Sequence, residues 1–153
     1  MGGALFGAGC EANTSVPDLP YTLLNGESNS TAALKGQVVW VNFWATHCGP
    51  CVAEVPKWIS THQRYGASGL TTLAVAMSYD PPALVSRFAQ ERQLPFGVVI
   101  DNTGAFARGF GGVQQTPTSF LLDKRGLLAK RWVGAVSTTQ LHALIDQLLA
   151  QPA

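Results

Sequence analysis

The chain has 153 residues, 46% of them hydrophobic and 12% charged, which describes about one folded domain with a sizeable core and excludes a disordered polymer. A formal net charge of +1 provides no broad basic field, so nucleic acid is not an expected partner. No apolar run approaches the ~20 residues that a membrane-spanning helix needs, and three cysteines are too few to build a disulfide scaffold.

Residues 1–17 read as a flexible leader, with "MGGALFGAGC" as the remnant of a trimmed signal or anchor region. Cys10 ends that stretch, where a lipid-bearing cysteine would tether the protein to a membrane. Gly7 stands where such sites usually carry an aliphatic residue, and the alternative is a free thiol. Residues 18–153 contain no internal repeat or linker and read as one domain. "PYTLLNGES" suggests a short extended piece with a turn at Asn25-Gly26, and "STAALKG" leads back into the domain.

"QVVWVNFWA" (37–45) is β-branched and aromatic almost throughout, the pattern of a central strand covered on both faces. A helix begins near Gly49, with Val52, Val55, Ile59 and His62/Tyr65 at helical spacing; Pro56 falls inside it and should kink it. "LTTLAVAMS" (70–78) is a second buried strand. It is followed by a helix over 80–93 with Asp80 as its cap and Leu84, Val85 and Phe88 as its inner face. "FGVVID" (96–101) is a third strand and "TGAFARGF" (103–110) a short helix. "SFLLD" and "LLAKRWV" flank Lys124-Arg125-Gly126 as an antiparallel hairpin. The last helix opens on a Ser137…Gln140 capping box and buries Leu141, Leu144, Ile145 and Leu148. Alternating strands and helices that close on a hairpin and a helix predict an α/β sandwich with a mixed sheet.

Chemistry concentrates in "NFWATHCGPCVAEVP" (42–56), where only Gly49 and Pro50 separate two cysteines. Cys48 is expected at the N-terminus of a helix, where unpaired N–H groups and the helix dipole favour a thiolate. Such a thiol can fall from about 8.5 into the range of roughly 3.5–7.5, and the thiolate is the nucleophile. Cys51 returns to the same side about one turn later and can displace whatever Cys48 has captured. A purely structural crosslink would close almost no loop. A zinc site needs about four ligands, and only Cys10, His47, His62 and His142 remain to complete one. A redox pair is therefore the favoured assignment, with no metal and no organic cofactor.

The stretches "VVWVNFWATHCGPCVAEVPKW", "FGVVIDNTGAFARGFGGVQQTPTSFLLDKRG" and "WVGAVSTTQLHALI", spread over about residues 17–150, resemble the thioredoxin superfamily. Within it they are most similar to the TlpA/ResA type of periplasmic thiol–disulfide oxidoreductases. The resemblance implies a thioredoxin-like three-layer sandwich: a central mixed β-sheet with flanking helices, a surface dithiol, and a cis-proline loop at Thr116-Pro117 beside it. His47, Gly49, Pro50, Gln115 and Thr116 then become substrate-binding positions, and Cys48, Cys51, Glu54 and Pro117 the catalytic ones.

Several positions depart from the family pattern. Gln115 stands where many relatives have Gly, and His47 where many have Trp. A protonated His47 would favour thiolate, whereas a neutral, exposed one would do little. Asn42 replaces the aspartate that thioredoxin uses to assist proton transfer. It cannot titrate, and if buried it should find a hydrogen-bond partner. Glu54, three residues after Cys51, matches a glutamate of TlpA/ResA-type proteins. If partly buried it would have a raised pKa and could exchange a proton with Cys51. The tryptophans, Trp44 among them, read as packing groups.

The resemblance further implies a monomer that reduces cysteine-bearing protein substrates in the bacterial periplasm and is recharged by an upstream membrane thiol reductant. Cytochrome c maturation and envelope thiol maintenance are the usual pathways. Gly-Pro between the cysteines matches the reducing members, although the motif by itself does not fix a potential. A peroxidase of the peroxiredoxin type would need Thr where Ala45 stands. The rival function is a binding domain that chaperones a cysteine-bearing or metal-receiving partner without turnover.

Overall fold

A computed structural model describes residues 13–153. Cys10 and the first twelve residues of the expected leader lie outside the described residues. The elements in chain order are β1 (Pro20–Thr22), β2 (Ser28–Ser30), β3 (Val38–Trp44), α1 (Gly49–Tyr65), β4 (Leu70–Ala76), α2 (Pro82–Glu91), β5 (Gly97–Ile100), α3 (Ala105–Gly109), β6 (Thr118–Leu122), β7 (Leu128–Val133) and α4 (Thr138–Ala150).

Five strands form one mixed sheet in the order β5-β4-β3-β6-β7. β3, β4 and β5 are parallel, joined by α1 and α2, whereas β6 runs antiparallel to β3 and β7 antiparallel to β6. All seven residues of β3 are buried, as a central strand with both faces covered requires. Because successive side chains alternate, Val38, Trp40 and Trp44 join the core under α1, α2 and α4. Val39, Val41 and Phe43 join the opposite core, under α3 and the N-terminal segment. Trp44 packs edge-on to Trp58 of α1, with centroids 6.4 Å apart, and 5.0 Å from Phe88 of α2. Phe43 meets Phe106, Phe110 and Phe120 on the other side. The three-layer sandwich expected from the family resemblance is thus present.

The expected turn at Asn25-Gly26 is present, with Gly26 at φ +89°, and the strands on its two sides, β1 and β2, pair as an antiparallel hairpin. Leu24 N–H donates to the Val98 carbonyl at 3.1 Å, so the hairpin's turn covers the β5 edge. Residues assigned to the leader extend further into the fold than expected. Asn13 N–H donates to the Leu128 carbonyl, Leu128 N–H donates to the Thr14 carbonyl, and Ser15 bridges Leu127.

Three local expectations need correction. Asp80 does not cap α2; Pro81 occupies that place, and the Asp80 side chain turns away to Thr46. Leu84 is not on the inner face of α2 but 45% exposed, because the buried stripe is centred on Val85 and the neighbouring position projects about 100° away from it. The buried stripe of α1 is centred on Cys51, Val55, Trp58 and Tyr65, so Val52 and Ile59 fall at its half-exposed margins. α1 continues through Pro56, and the Ser137 hydroxyl accepts from Gln140 N–H at the start of α4.

Candidate active site

The central strand β3 ends at Trp44, and a tight turn, closed by Cys48 N–H donating to the Ala45 carbonyl at 3.1 Å, starts α1. Cys48 is the N-cap of that helix, with extended φ −87° and ψ 104°. Gly49 and Pro50 fill the first helical positions, and Pro50 loses nothing there because its N–H would have had no intrahelical partner. Cys51 N–H, one of the unpaired donors of the first turn, points at Cys48 Sγ at 3.2 Å. A donor aimed at this sulfur, reinforced by the helix dipole, favours negative charge on it.

Cys48 and Cys51 are joined as a disulfide, with Cα atoms 5.2 Å apart. Their environments differ: Cys48 is half-buried and reachable at the surface, whereas Cys51 is 0% exposed and packed into the core. Across from them, Thr116-Pro117 is a cis peptide, and Cys48 Sγ lies 3.5 Å from the Thr116 carbonyl oxygen. Pro117 is buried, Thr116 half-buried and Gln115 exposed. The Gln115 carbonyl accepts from the Thr118 hydroxyl at 2.5 Å. His47, Gly49 and Pro50 are exposed around the sulfur, and the His47 ring meets the Tyr79 ring at a 56° tilt, with centroids 5.8 Å apart.

Glu54 is buried one turn beyond Cys51. Lys57 Nζ donates to both its carboxylate oxygens, at 3.1 and 3.0 Å, and also to the Val136 carbonyl. Val136 N–H donates back to Glu54 Oε2 at 3.4 Å. Lys57 and Val136 are site components that the sequence reading lacked. The i,i+3 spacing of Glu54 and Lys57 was a legible signal; the arrival of Val136 from the far end of β7 was not. Asn42 corrects a further expectation. It is buried at 1% exposure, but its Nδ2 has no hydrogen-bond partner among the described residues; Ala74 beside it has no polar side chain, and the hydroxyl of Ser119 on its other side is likewise unpartnered.

Comparisons with known proteins point the same way. The Redoxin family model matches residues 11–148. The chain is 30% identical over 135 residues to the thiol-disulfide oxidoreductase ResA of Geobacillus thermodenitrificans, covering 88% of this chain and 76% of that protein. A solution structure of a Neisseria meningitidis protein provisionally designated a thioredoxin superposes with a TM-score of 0.82 at 36% identity, covering 90% of this chain and 91% of that one. A thiol:disulfide interchange protein of the thioredoxin family from Chlorobium tepidum superposes with a TM-score of 0.81 at 26% identity, covering 92% and 99%.

Proposed function

The chain belongs to the Redoxin family as a ResA-type, thioredoxin-like thiol–disulfide oxidoreductase acting on cysteine-containing substrates, and from that premise we propose that it works as a reductant of protein disulfides outside the bacterial cytoplasm. The observation that carries the mechanism is the unequal placement of the two sulfurs, Cys48 accessible at a helix N-terminus and Cys51 buried behind it.

In the reduced protein Cys48 thiolate attacks one sulfur of a substrate disulfide. The substrate S–S bond breaks, a mixed disulfide forms, and the released substrate thiolate takes up a proton. Cys51 then gives up its proton and attacks Cys48 Sγ, freeing the second substrate thiol and leaving the Cys48–Cys51 disulfide. Glu54 is the group we assign to exchange that proton, one turn from Cys51 and oriented by Lys57 and Val136. The Thr116 carbonyl beside Cys48 and the backbone next to Pro117 supply the edge along which a substrate segment pairs, with His47, Gly49, Pro50 and Gln115 forming its rim. Two electrons from an upstream membrane dithiol restore the reduced state.

Likeness to periplasmic TlpA/ResA-type proteins supports the location, with attachment through the N-terminal segment or Cys10. Cytochrome c maturation or envelope thiol maintenance is the pathway this role fits. The deciding experiment is equilibration of the dithiol with glutathione: a potential well below about −180 mV is expected, and a value above it overturns the reducing direction. A domain that binds a cysteine-bearing or metal-receiving partner without turnover would instead keep its activity as Cys51→Ser.

A further inference from the structure

Asp80 lies in the loop between β4 and α2, outside the dithiol helix, and is 2% exposed. Both carboxylate oxygens are used, and both serve one residue: Thr46 N–H donates to Oδ2 at 2.7 Å and the Thr46 hydroxyl to Oδ1 at 2.7 Å. No ion pair to Asp80 forms among the described residues. A buried carboxylate with two short donors remains an uncompensated negative charge. Thr46 sits inside the turn closed by Cys48 N–H and the Ala45 carbonyl, so only His47 separates the clamped residue from the attacking sulfur. The loop is held from behind as well, because Asp80 N–H donates to the Met77 carbonyl and Met77 N–H to the Trp44 carbonyl, each at 3.0 Å.

We propose that Asp80 is a positioning residue of the dithiol: it fixes the turn that carries Cys48 through Thr46, and its buried charge makes the protein a stronger reductant. The inference rests on Cys48 being the attacking thiol. A buried negative charge bound to the residue two positions before Cys48 opposes thiolate formation there and so acts against the helix N-terminus. It thereby destabilises the reduced state relative to the uncharged disulfide. The other charged or titratable groups around the loop are His47, Tyr79, Arg87 and Glu91. All four are exposed, so solvent screens them far more than it screens Asp80.

Asp80→Asn tests the charge with the clamp retained, since the amide oxygen can accept from Thr46 N–H while the amide nitrogen donates to its hydroxyl. In equilibrium with glutathione (protein disulfide plus two thiols giving dithiol plus glutathione disulfide), D80N is expected to shift the constant roughly 3- to 10-fold toward the dithiol. Tenfold corresponds to about 30 mV for this couple. Alkylation of Cys48 by iodoacetamide at neutral pH should quicken by a similar factor. Thr46→Val, which keeps the charge and loses the hydroxyl bond, should shift the constant less than about twofold.

A D80N constant within twofold of wild type overturns the inference, as does a T46V shift equal to that of D80N. If D80N does not fold, the wild-type protein carries the test. The Asp80 carboxyl carbon resonance of the reduced protein should step at the pH where Cys48 ionises, and a flat resonance refutes the coupling. Insulin reduction by wild type is the control: its failure removes the reductase assignment, whereas success with an unmoved D80N constant removes only the role of Asp80.

Discussion

Cys48 and Thr116 lie 68 positions apart, yet Cys48 Sγ and the Thr116 carbonyl oxygen are 3.5 Å apart across the mouth of the dithiol site. That oxygen faces the accessible sulfur, and the buried Cys51 lies behind it. Replacing each cysteine should therefore give different results. Cys48→Ser is expected to abolish insulin reduction and form no adduct. Cys51→Ser is expected to stop turnover while accumulating a mixed disulfide with a disulfide-bearing polypeptide, seen as a mass increase that reductant reverses.

Glu54→Gln keeps the shape of the side chain and removes its proton affinity. Loss of a positioned proton acceptor costs on the order of 10²-fold in the step it serves. The expected result is slower release of the mixed disulfide, followed by rapid-quench mass analysis, with little change in the rate of its formation. An equal slowing of both steps would assign Glu54 to structure alone.

Lys57→Met tests the same carboxylate from the other side. Lys57 and Glu54 are 22% and 12% exposed, so the pair is shielded but not dry. Removing the cation leaves Glu54 with the 3.4 Å bond from Val136 N–H, and a loss of roughly 1–3 kcal/mol in denaturant stability is expected.

Trp58 is 1% exposed and sits edge-on to Trp44 in the core beneath α1. Trp58→Ala should cost about 3–5 kcal/mol, read from the urea midpoint of the oxidised protein. A loss under about 1 kcal/mol would contradict the packing described for this face.

His142 of α4 receives or gives a hydrogen bond to the Thr61 hydroxyl at 2.9 Å, and its other ring nitrogen lies 3.3 Å from Arg64. Burial, followed by the Arg64 charge, lowers its pKa from the ordinary 6.5. The unfolded chain therefore takes up the proton first as pH falls. His142 should leave stability unchanged above about pH 6.5 and reduce it progressively below that value, down to the folded pKa. Urea midpoints between neutral pH and pH 5 should decline less steeply for His142→Gln than for wild type.

Local chemistry explains what could be read directly from the chain. The β3 pattern needs only the rule that a strand covered on both faces is apolar throughout. The dithiol needs only a helix start and one turn of spacing, and the Ser137 cap and the Lys124-Arg125-Gly126 turn need only near neighbours. Glu54 and its place one turn from Cys51 were visible for the same reason.

Contacts made by distant segments were not visible. Asp80 has the composition and position of a helix cap, and only the meeting of the β3 and β4 ends makes it the partner of Thr46, 34 residues earlier. Val136 reaches Glu54 only because β7 and α4 close over α1, and Asn42 Nδ2, set between Ala74 and Ser119 in the sheet, finds no partner among the described residues. The reactive pair and the elements that carry it follow from the order of residues, because helix starts, alternation and turns act over a few positions. Tertiary structure alone decided which charges, carbonyls and unpaired groups surround that pair, because such neighbours are chosen by how the sheet and its two cores close.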